Sequence, residues 1–144
     1  MKLAFLGAGK MAGAIVRGII SSEAASPENI ICTSARDGTA EALAADTGIA
    51  VTYELDTLLN AADWLVLACK PQQISELASE LAEFTSGKRF LSILAGTTLD
   101  RLQQVFPDAA NIVRCMPNTP GMIGKGITAF SPLNELTEAE QTHV

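Results

Sequence analysis

Short apolar runs alternate with amphipathic segments along almost the whole chain. An apolar run too short for a helix is typical of a buried strand. Six runs are expected to be strands, and a seventh follows a loop rich in proline and glycine; together they cover residues 2–6, 29–34, 49–52, 64–69, 89–95, 110–115 and 126–131. The run at 64–69 is almost wholly apolar, which indicates a central parallel strand covered on both faces.

The segments between these runs carry apolar residues at helical spacing. Met11, Ile15 and Ile19 recur every four residues and form one face of a helix. Residues 74–81 follow the i, i+3, i+4, i+7 pattern, and Glu76, Glu80 and Glu83 are expected to face water. Further helices are predicted from residue 40 to Gly48, over 55–62, from Thr98 to Pro107, and from the capping box at 137–140.

Strands that alternate with helices in this way predict a parallel sheet with right-handed crossovers. We therefore expect the α/β class: a Rossmann-like, doubly wound parallel sheet with helices on both faces. Such sheets bind ligands beyond the carboxyl ends of their strands, near the point where the strand order reverses. We therefore expect the ligand-binding residues to lie where the strands end.

A glycine-rich loop follows the first strand, in the sequence Gly7-Ala8-Gly9-Lys10-Met11-Ala12. It fits the G-x-G-x-x-G/A pattern, and its position between a strand and an amphipathic helix makes the match specific for dinucleotide binding. Gly7 would permit the tight turn, Gly9 would let a pyrophosphate approach the backbone, and Ala12 would allow close helix–strand packing. Helix amides at residues 9–11 would hold the phosphates. A plain strand-to-helix turn is the alternative.

The end of the second strand indicates which dinucleotide would bind. An NAD site places Asp or Glu here to accept from the ribose 2′-hydroxyl, whereas this chain has Thr33-Ser34-Ala35-Arg36. Ser34 could hydrogen-bond a phosphate oxygen and Arg36 could pair with it by charge, so NADP is preferred. Asp37 is expected to cap the next helix instead, and an ordinary solvated arginine is the alternative for Arg36.

Two later loops also leave strand ends. Ala68-Cys69-Lys70-Pro71 follows the fourth strand, and Lys70 is expected where the ribose or nicotinamide end of a cofactor passes. Residues 116–121 form a loop stiffened by two prolines, in which Asn118 and Thr119 could wall the nicotinamide pocket. The alternative for Lys70 is an ordinary surface lysine, and the alternative for residues 116–121 is a rigid connector.

Composition excludes several classes of function. The 144 residues, 48% hydrophobic and 18% charged, suit one folded domain rather than a disordered chain. Sixteen acids against ten bases give a net charge of −6, so no nucleic-acid partner is expected. The single histidine, His143, excludes His-based triads and His-rich metal sites, and no metal is expected. No run approaches the roughly 18 apolar residues of a membrane span.

Three widely spaced cysteines, Cys32, Cys69 and Cys115, form no C-x-x-C pattern and suggest no disulfide framework. Each stands in a strand-like apolar run. We expect reduced, half-buried thiols in a cytoplasmic protein.

Taken together, these segments resemble the amino-terminal domain of the pyrroline-5-carboxylate reductase family, in order over essentially the whole chain. The glycine loop is shared with many dehydrogenases, but the combination of the later motifs is more specific to this family. The segments that carry the resemblance are Phe5–Ala12, Leu67-Ala68-Cys69-Lys70-Pro71-Gln72, Ser92–Gly96 and Val113-Arg114-Cys115-Met116-Pro117-Asn118-Thr119-Pro120.

The resemblance implies NADPH, with NADH used by some members, and hydride transfer to the C=N of 1-pyrroline-5-carboxylate to give L-proline. It implies a cytoplasmic enzyme of amino-acid biosynthesis that is a homo-oligomer, and it carries over as cofactor-contacting residues Leu6, Gly7, Ala8, Gly9, Lys10, Met11, Ser34, Ala68, Cys69, Lys70, Pro71 and Ala95. Arg36 and Asn118 are added from the local reasoning above. No catalytic residue is assigned, because no side chain here is a convincing proton donor.

Two departures from the family pattern have consequences. Leu55 stands where the family often has an asparagine that contacts the adenosine side. Family members also continue into a helical domain that dimerises and supplies the substrate pocket. We therefore expect residues 1–131 to be the NAD(P)-binding domain and residues 132–144 to begin the connection to that helical domain. The chain alone is expected to be inactive, with an apolar patch near residues 127–144.

Two other functions stay open at this point. One is a different NADP-dependent reductase with the same amino-terminal domain, such as a 3-hydroxyacid dehydrogenase or a deazaflavin-dependent NADP reductase. The other is a non-catalytic nucleotide-binding module. Activity on pyrroline-5-carboxylate would distinguish the pyrroline-5-carboxylate reductase from the other NADP-dependent reductases. Loss of NADPH binding on replacing Gly9 with a bulky residue would argue against the non-catalytic module.

Overall fold

The protein is described by a computed structural model that covers residues 1–81 and 84–144. Glu83, predicted to face water, lies outside this part of the chain. Within the described residues seven strands are present, with bounds that lie within or close to the apolar runs: β1 Leu3–Leu6, β2 Ile30–Thr33, β3 Ala50–Val51, β4 Trp64–Leu67, β5 Arg89–Ser92, β6 Asn111–Pro117 and β7 Thr128–Pro132.

In the part of the chain that the structure describes, six α-helices lie between and after the strands, as the helical spacing and, for the last one, the capping box predict. They are α1 Lys10–Ser21, α2 Thr39–Thr47, α3 Leu55–Asn60, α4 Ile74–Leu81, α5 Leu99–Val105 and α6 Glu138–His143. Within the segment predicted to be a loop after β6, residues 119–123 form a 3₁₀ turn, and β6 itself continues to Pro117.

The strands form one sheet in the order β3-β2-β1-β4-β5-β6-β7. The chain moves outward from β1 to β2 and β3, then returns so that β4 pairs in parallel with β1 on its other side. The strand order therefore reverses between β1 and β4, which is where a doubly wound sheet binds its ligand. The predicted α/β, Rossmann-like fold is confirmed.

The last strand corrects the expectation of a wholly parallel sheet, because β7 pairs antiparallel with β6. The cause is the length of the connection. Residues 118–127 are too few to carry a crossover helix, and a parallel pairing needs a connection of roughly a dozen residues or more.

Two apolar layers cover the two faces of the sheet, and β1 contributes to both. Leu3 and Phe5 point into the layer beneath α1 and α2, while Ala4 and Leu6 point into the layer beneath α3, α4 and α5. All four residues are buried, as are all four of β4. This double burial explains why the central strands are apolar throughout.

The segment after β7 folds back onto the sheet. Leu136 is buried in the layer beneath α1, and the side chain of Asn111 on β6 holds the backbone of Asn134 through two hydrogen bonds. The Arg89 guanidinium on β5 donates to Glu140 in α6. Residues 132–144 thus pack against the sheet, and the division of the chain at residue 131 stays a prediction.

Candidate functional site

A cleft of about 570 Å³ opens at the carboxyl edge of the sheet, where β1, β2 and β4 end beside the reversal of strand order. Parallel strands bring their carboxyl ends to one edge, so three segments distant in sequence meet there. Nine of the predicted site residues line this cleft: Leu6, Gly7, Ala8, Gly9, Ser34, Arg36, Ala68, Cys69 and Lys70.

Gly7 makes the turn out of β1 with a backbone φ of +117°, in the region that favours glycine. A Cβ at this position would meet the carbonyl oxygen of Ala68 at 2.4 Å. The Gly7 N–H donates to the Thr33 carbonyl at 3.0 Å. Gly7 therefore permits the tight turn, as predicted, and also the close approach of the segment that follows β4.

Gly9 occupies a different environment, because a Cβ here would meet nothing within 4 Å. It is the N-cap of α1 and offers no side-chain oxygen, and the first turn of the helix contains no acidic residue. The first intrahelical hydrogen bond runs from the Gly13 N–H to the Gly9 carbonyl, at 2.9 Å. The preceding N–H groups of the first turn are left free by the helix geometry. This arrangement suits an anion.

Ser34 and Arg36 lie together at the end of β2, on the wall of the cleft. The Ser34 hydroxyl oxygen is buried and makes no hydrogen bond of good geometry to any described residue. It lies close enough to Asp37 to help lower that residue's pKa, but the main cause is Thr39, whose hydroxyl and N–H donate to Asp37 at 2.6 and 3.1 Å. The prediction that Asp37 caps the next helix is corrected: the N-cap of α2 is Gly38, and Asp37, one residue before it, accepts from Thr39 at the helix start.

The sequence reasoning missed Tyr53, which also lines the cleft. The guanidinium carbon of Arg36 lies 4.3 Å from the centre of the Tyr53 ring, and the Tyr53 hydroxyl donates to Glu41 on α2. This hydrogen bond raises the pKa of Tyr53 and lowers that of Glu41. Tyr53 follows β3 and Arg36 follows β2, and the pairing of these two strands brings the residues together. No short sequence motif predicts such a pairing.

The segment after β4 forms the opposite wall. Ala68 and Cys69 are half-buried and Lys70 is exposed. The Lys70 N–H donates to the Gln73 side chain at 3.1 Å, which fixes the short turn that begins at Pro71. Leu55, Glu76, Leu77 and Glu80 also line the cleft, and sequence reasoning had not assigned any of them a contact.

The remaining predicted residues lie at the margins of the cleft or beyond it. Lys10 opens α1 directly after Gly9, and Ala95 is exposed after β5. Met11 and Asn118 instead line a second hollow of about 240 Å³ between α1 and the loop after β6. There the Asn118 side chain accepts from the Ile127 N–H at 3.0 Å. Cofactor contacts by these residues stay predictions.

The three cysteines are free, with Cys32 and Cys115 buried and Cys69 half-buried. Burial raises the pKa of Cys32 and of Cys115 to about 11, and it raises the pKa of Cys69. None of these thiols is therefore an activated nucleophile at neutral pH. Within residues 1–81 and 84–144, no group of three or more His, Cys, Asp or Glu residues could hold a metal ion. No helix in the same ranges has the length and apolarity needed to cross a membrane.

Comparison with known proteins agrees with this geometry. Residues 2–96 match the family model described as NADP oxidoreductase, coenzyme F420-dependent. A pyrroline-5-carboxylate reductase of Staphylococcus epidermidis is 34% identical over 100% of this chain and 54% of its own length. One of Synechocystis is 35% identical, over 98% of this chain and 52% of its own length. The chain thus spans about half the length of the curated relatives it matches.

Solved structures with the same fold carry related names. A pyrroline-5-carboxylate reductase from Coxiella burnetii superposes with a TM-score of 0.90 at 28% identity, over 99% of this chain and 53% of that one. A Plasmodium falciparum pyrroline carboxylate reductase with NADP bound gives a TM-score of 0.80 at 23% identity, over 99% of this chain and 52% of that one. At that identity the second likeness concerns the fold alone.

Proposed function

Since the chain belongs to the family described as NADP oxidoreductase, coenzyme F420-dependent, we propose that it is the cofactor-binding part of a pyrroline-5-carboxylate reductase. The reaction is reduction of the C=N bond of 1-pyrroline-5-carboxylate to L-proline, the last step of proline biosynthesis, in the cytoplasm. One observation carries the proposal: the glycine loop leads into a helix start without a side-chain cap, at the cleft where the strand order reverses.

The residues of the cleft fit NADPH at two separate points. At the first, the open space around Gly9 and the free N–H groups of α1 suit the diphosphate. At the second, the buried Ser34 hydroxyl, which makes no hydrogen bond of good geometry to the described residues, and the Arg36 guanidinium on the same wall suit the 2′-phosphate. Asp37 is assigned no contact with a ribose hydroxyl in this proposal, because it already accepts from the Thr39 N–H and hydroxyl.

The chain's own residues bind and orient the cofactor. When bound, NADPH supplies the hydride that the reduction needs. Residues 6–11 would hold the diphosphate, and Ser34 with Arg36 would hold the adenosine phosphate. Ala68–Pro71 and Ala95 would line the path toward the nicotinamide, with Asn118 on the loop beyond. Fixed orientation of the two reactants accounts for much of the rate in such a reaction.

We assign no proton donor for the ring nitrogen within this chain. Cys69 is the one thiol in the cleft, and burial raises its pKa, so it is a weak acid at neutral pH. No substrate pocket and no homo-oligomeric contact is assigned to these 144 residues, which span about half the length of the curated relatives. This chain then binds NADPH but has very slow or undetectable turnover alone.

The cofactor site is tested by titrating the chain with NADPH and following the nucleotide fluorescence. Replacing Gly9 with valine should weaken binding at least about tenfold, because its methyl groups would enter the diphosphate site, whose helix amides are the main anion-binding groups. The unfolding midpoint should change little, since a Cβ at this position meets no atom within 4 Å. Ser21→Val, at the other end of α1 and outside both the cleft and the second hollow, is the matched control.

Equal NADPH affinity in the Gly9→Val variant, or none in the unsubstituted chain, would remove the basis of the proposal. A full steady-state rate of proline formation by the 144 residues alone would contradict their role as a cofactor-binding part only.

A second candidate is hydride exchange between NADP and a deazaflavin, because the matching family model is named for coenzyme F420. The motif Lys70-Pro71-Gln72 together with residues 116–120 favours the pyrroline substrate, since this pair carries the more specific resemblance. The two are separated by assaying the enzyme that contains this chain with pyrroline-5-carboxylate and with oxidised F420 in parallel.

A further inference from the structure

Arg36 differs from every other arginine of the chain in what its guanidinium does. The chain has five arginines. The other four each donate a hydrogen bond: Arg17 to Asp46, Arg89 to Glu140, Arg101 to Ser75 and Arg114 to the Thr97 carbonyl. The Arg36 guanidinium makes no hydrogen bond and no ion pair within residues 1–81 and 84–144. Its donors are therefore free, and they are located at the cleft.

Arg36 is nevertheless held in place. Its guanidinium lies over the face of Tyr53, with the central carbon 4.3 Å from the ring centre. This geometry covers one face of the guanidinium and leaves its N–H edge, which points outward in the guanidinium plane, open to a ligand. The hydroxyl of Tyr53 donates to Glu41, so the ring is anchored at its far end to α2.

The backbone supports the same placement. Arg36 has a φ of +55°, one of two non-glycine residues with positive φ in the described chain. Such a conformation is uncommon for a residue with a Cβ and persists where the surroundings hold it. Ser34, two residues earlier, carries a buried hydroxyl that makes no hydrogen bond of good geometry to the described residues, although Asp37 and Tyr53 lie near it. A strained arginine with free donors and this serine therefore line the same wall.

We propose that Tyr53 is a positioning residue for the 2′-phosphate of NADPH: its ring holds Arg36 in place, and Glu41 in turn fixes the ring. The inference rests on the proposed function, which supplies the dinucleotide. A free arginine side chain samples many rotamers, and stacking on a fixed ring removes that freedom before the ligand arrives. Tyr53 thereby sets the preference for a phosphorylated over an unphosphorylated ribose without contacting the phosphate.

The acidic neighbours are compatible with this assignment. Glu41 accepts from Tyr53 and Asp37 accepts from Thr39, so each carboxylate is already hydrogen-bonded. Neither forms an ion pair with Arg36, whose charge is then available to a phosphate.

The test compares the affinities of 2′,5′-ADP and 5′-AMP, which differ only in the 2′-phosphate, by calorimetry on the 144-residue chain. Tyr53→Leu should weaken 2′,5′-ADP by about two- to fivefold, the effect expected for losing one partly exposed cation–π contact. The affinity for 5′-AMP should change much less. Tyr53→Phe keeps the ring and should retain most of the preference.

A double-mutant cycle separates positioning from packing. In an Arg36→Gln background, adding Tyr53→Leu should change the ratio of the two affinities no further, because the residue that the ring positions is gone. Arg101→Gln removes a positive charge on α5 that does not line the cleft, and it should leave the ratio unchanged. Unfolding curves of each variant identify any general loss of the fold.

Three results would overturn the inference. Equal weakening of both nucleotides by Tyr53→Leu would make Tyr53 a wall of the adenosine site alone. Unchanged affinities for both nucleotides in that variant would deny it any role in the site. Additive effects of Arg36→Gln and Tyr53→Leu on the ratio would mean that the two act independently. NADPH binding by the unsubstituted chain tests the proposed function separately, because NADPH can bind whether or not the site prefers 2′,5′-ADP to 5′-AMP.

Discussion

Gly7 and Gly9 stand two residues apart in one loop, yet the chain uses the missing Cβ differently at each. At Gly7 the added carbon would collide with the carbonyl of Ala68, and the positive φ disfavours any side chain. At Gly9 the added carbon would enter open space. The first glycine is therefore needed for the fold and the second for the proposed ligand, a distinction that the motif alone does not make.

Gly7→Ala should destabilise the protein by about 2–4 kcal/mol, because it combines a strained backbone with a steric clash against another main chain. The measurement is urea unfolding followed by circular dichroism. Gly18→Ala should change the free energy of unfolding in the opposite direction. Gly18 lies inside α1 with nothing within 4 Å of an added Cβ, so alanine there should stabilise the protein by about 0.5–1 kcal/mol. Equal effects of the two substitutions would contradict this account of Gly7.

At the scale of elements, hydrophobic spacing predicted the strands and helices well, because burial on one or two faces imposes a period on each. The direction of β7 was not predictable in that way, since an apolar run looks the same in parallel and antiparallel pairing. The length of its connection to β6 decided it. The contact between Tyr53 and Arg36 depends on neighbouring strands that are distant in sequence, and for the same reason it had no local signal.

The helix α6 is predicted from its capping box, and the structure confirms both halves of that motif. Glu140 accepts from the Thr137 N–H and hydroxyl, each at 2.9 Å, and also from the Arg89 guanidinium on β5 at 2.5 Å. These donors, first the Thr137 backbone and then Arg89, lower the pKa of Glu140 from 4.5 to about 2. One carboxylate thus caps α6 and attaches it to the sheet.

A lowered pKa in the folded state means that the ionised carboxylate stabilises the fold. The contribution is complete above pH 4.5 and is lost as the pH falls toward 2. Glu140→Gln should therefore lower the free energy of unfolding at pH 6, and the difference from the unsubstituted chain should shrink between pH 4.5 and pH 2. Urea unfolding across that range measures it. A difference that is independent of pH would mean that the charge has no part in it.

For the whole molecule, the parallel topology explains why so much of the cleft could be predicted from strand ends. The location of the exposed apolar surface was harder to predict. The sequence predicts an apolar patch near residues 127–144, but Leu136 is buried against the sheet. The large exposed apolar residues lie earlier, around the loop after β6 and on β7: Met116, Met122, Ile123, Ile127 and Phe130. Only the last two fall in the expected range, because the segment after β7 folds back.

This surface should make the chain self-associate weakly as its concentration rises, since exposed apolar groups of this size favour contact with one another. Replacing Ile127 with threonine and Phe130 with serine should reduce association, as measured by sedimentation velocity over a range of concentrations. Thr128→Ala, on the same strand and also exposed, is the control. Identical sedimentation of the double variant and the unsubstituted chain would contradict the prediction.

The position of β1 has a consequence for how the protein is made. Of the seven strands described it is translated first, yet its two partners in the sheet are β2 and β4. At a synthesis rate of about 5–20 residues per second, Leu3–Leu6 waits roughly three to twelve seconds before Trp64–Leu67 is translated. During that interval β1 lacks at least one of its two neighbours, and an apolar strand with an unpaired edge is the kind of segment that chaperones shield.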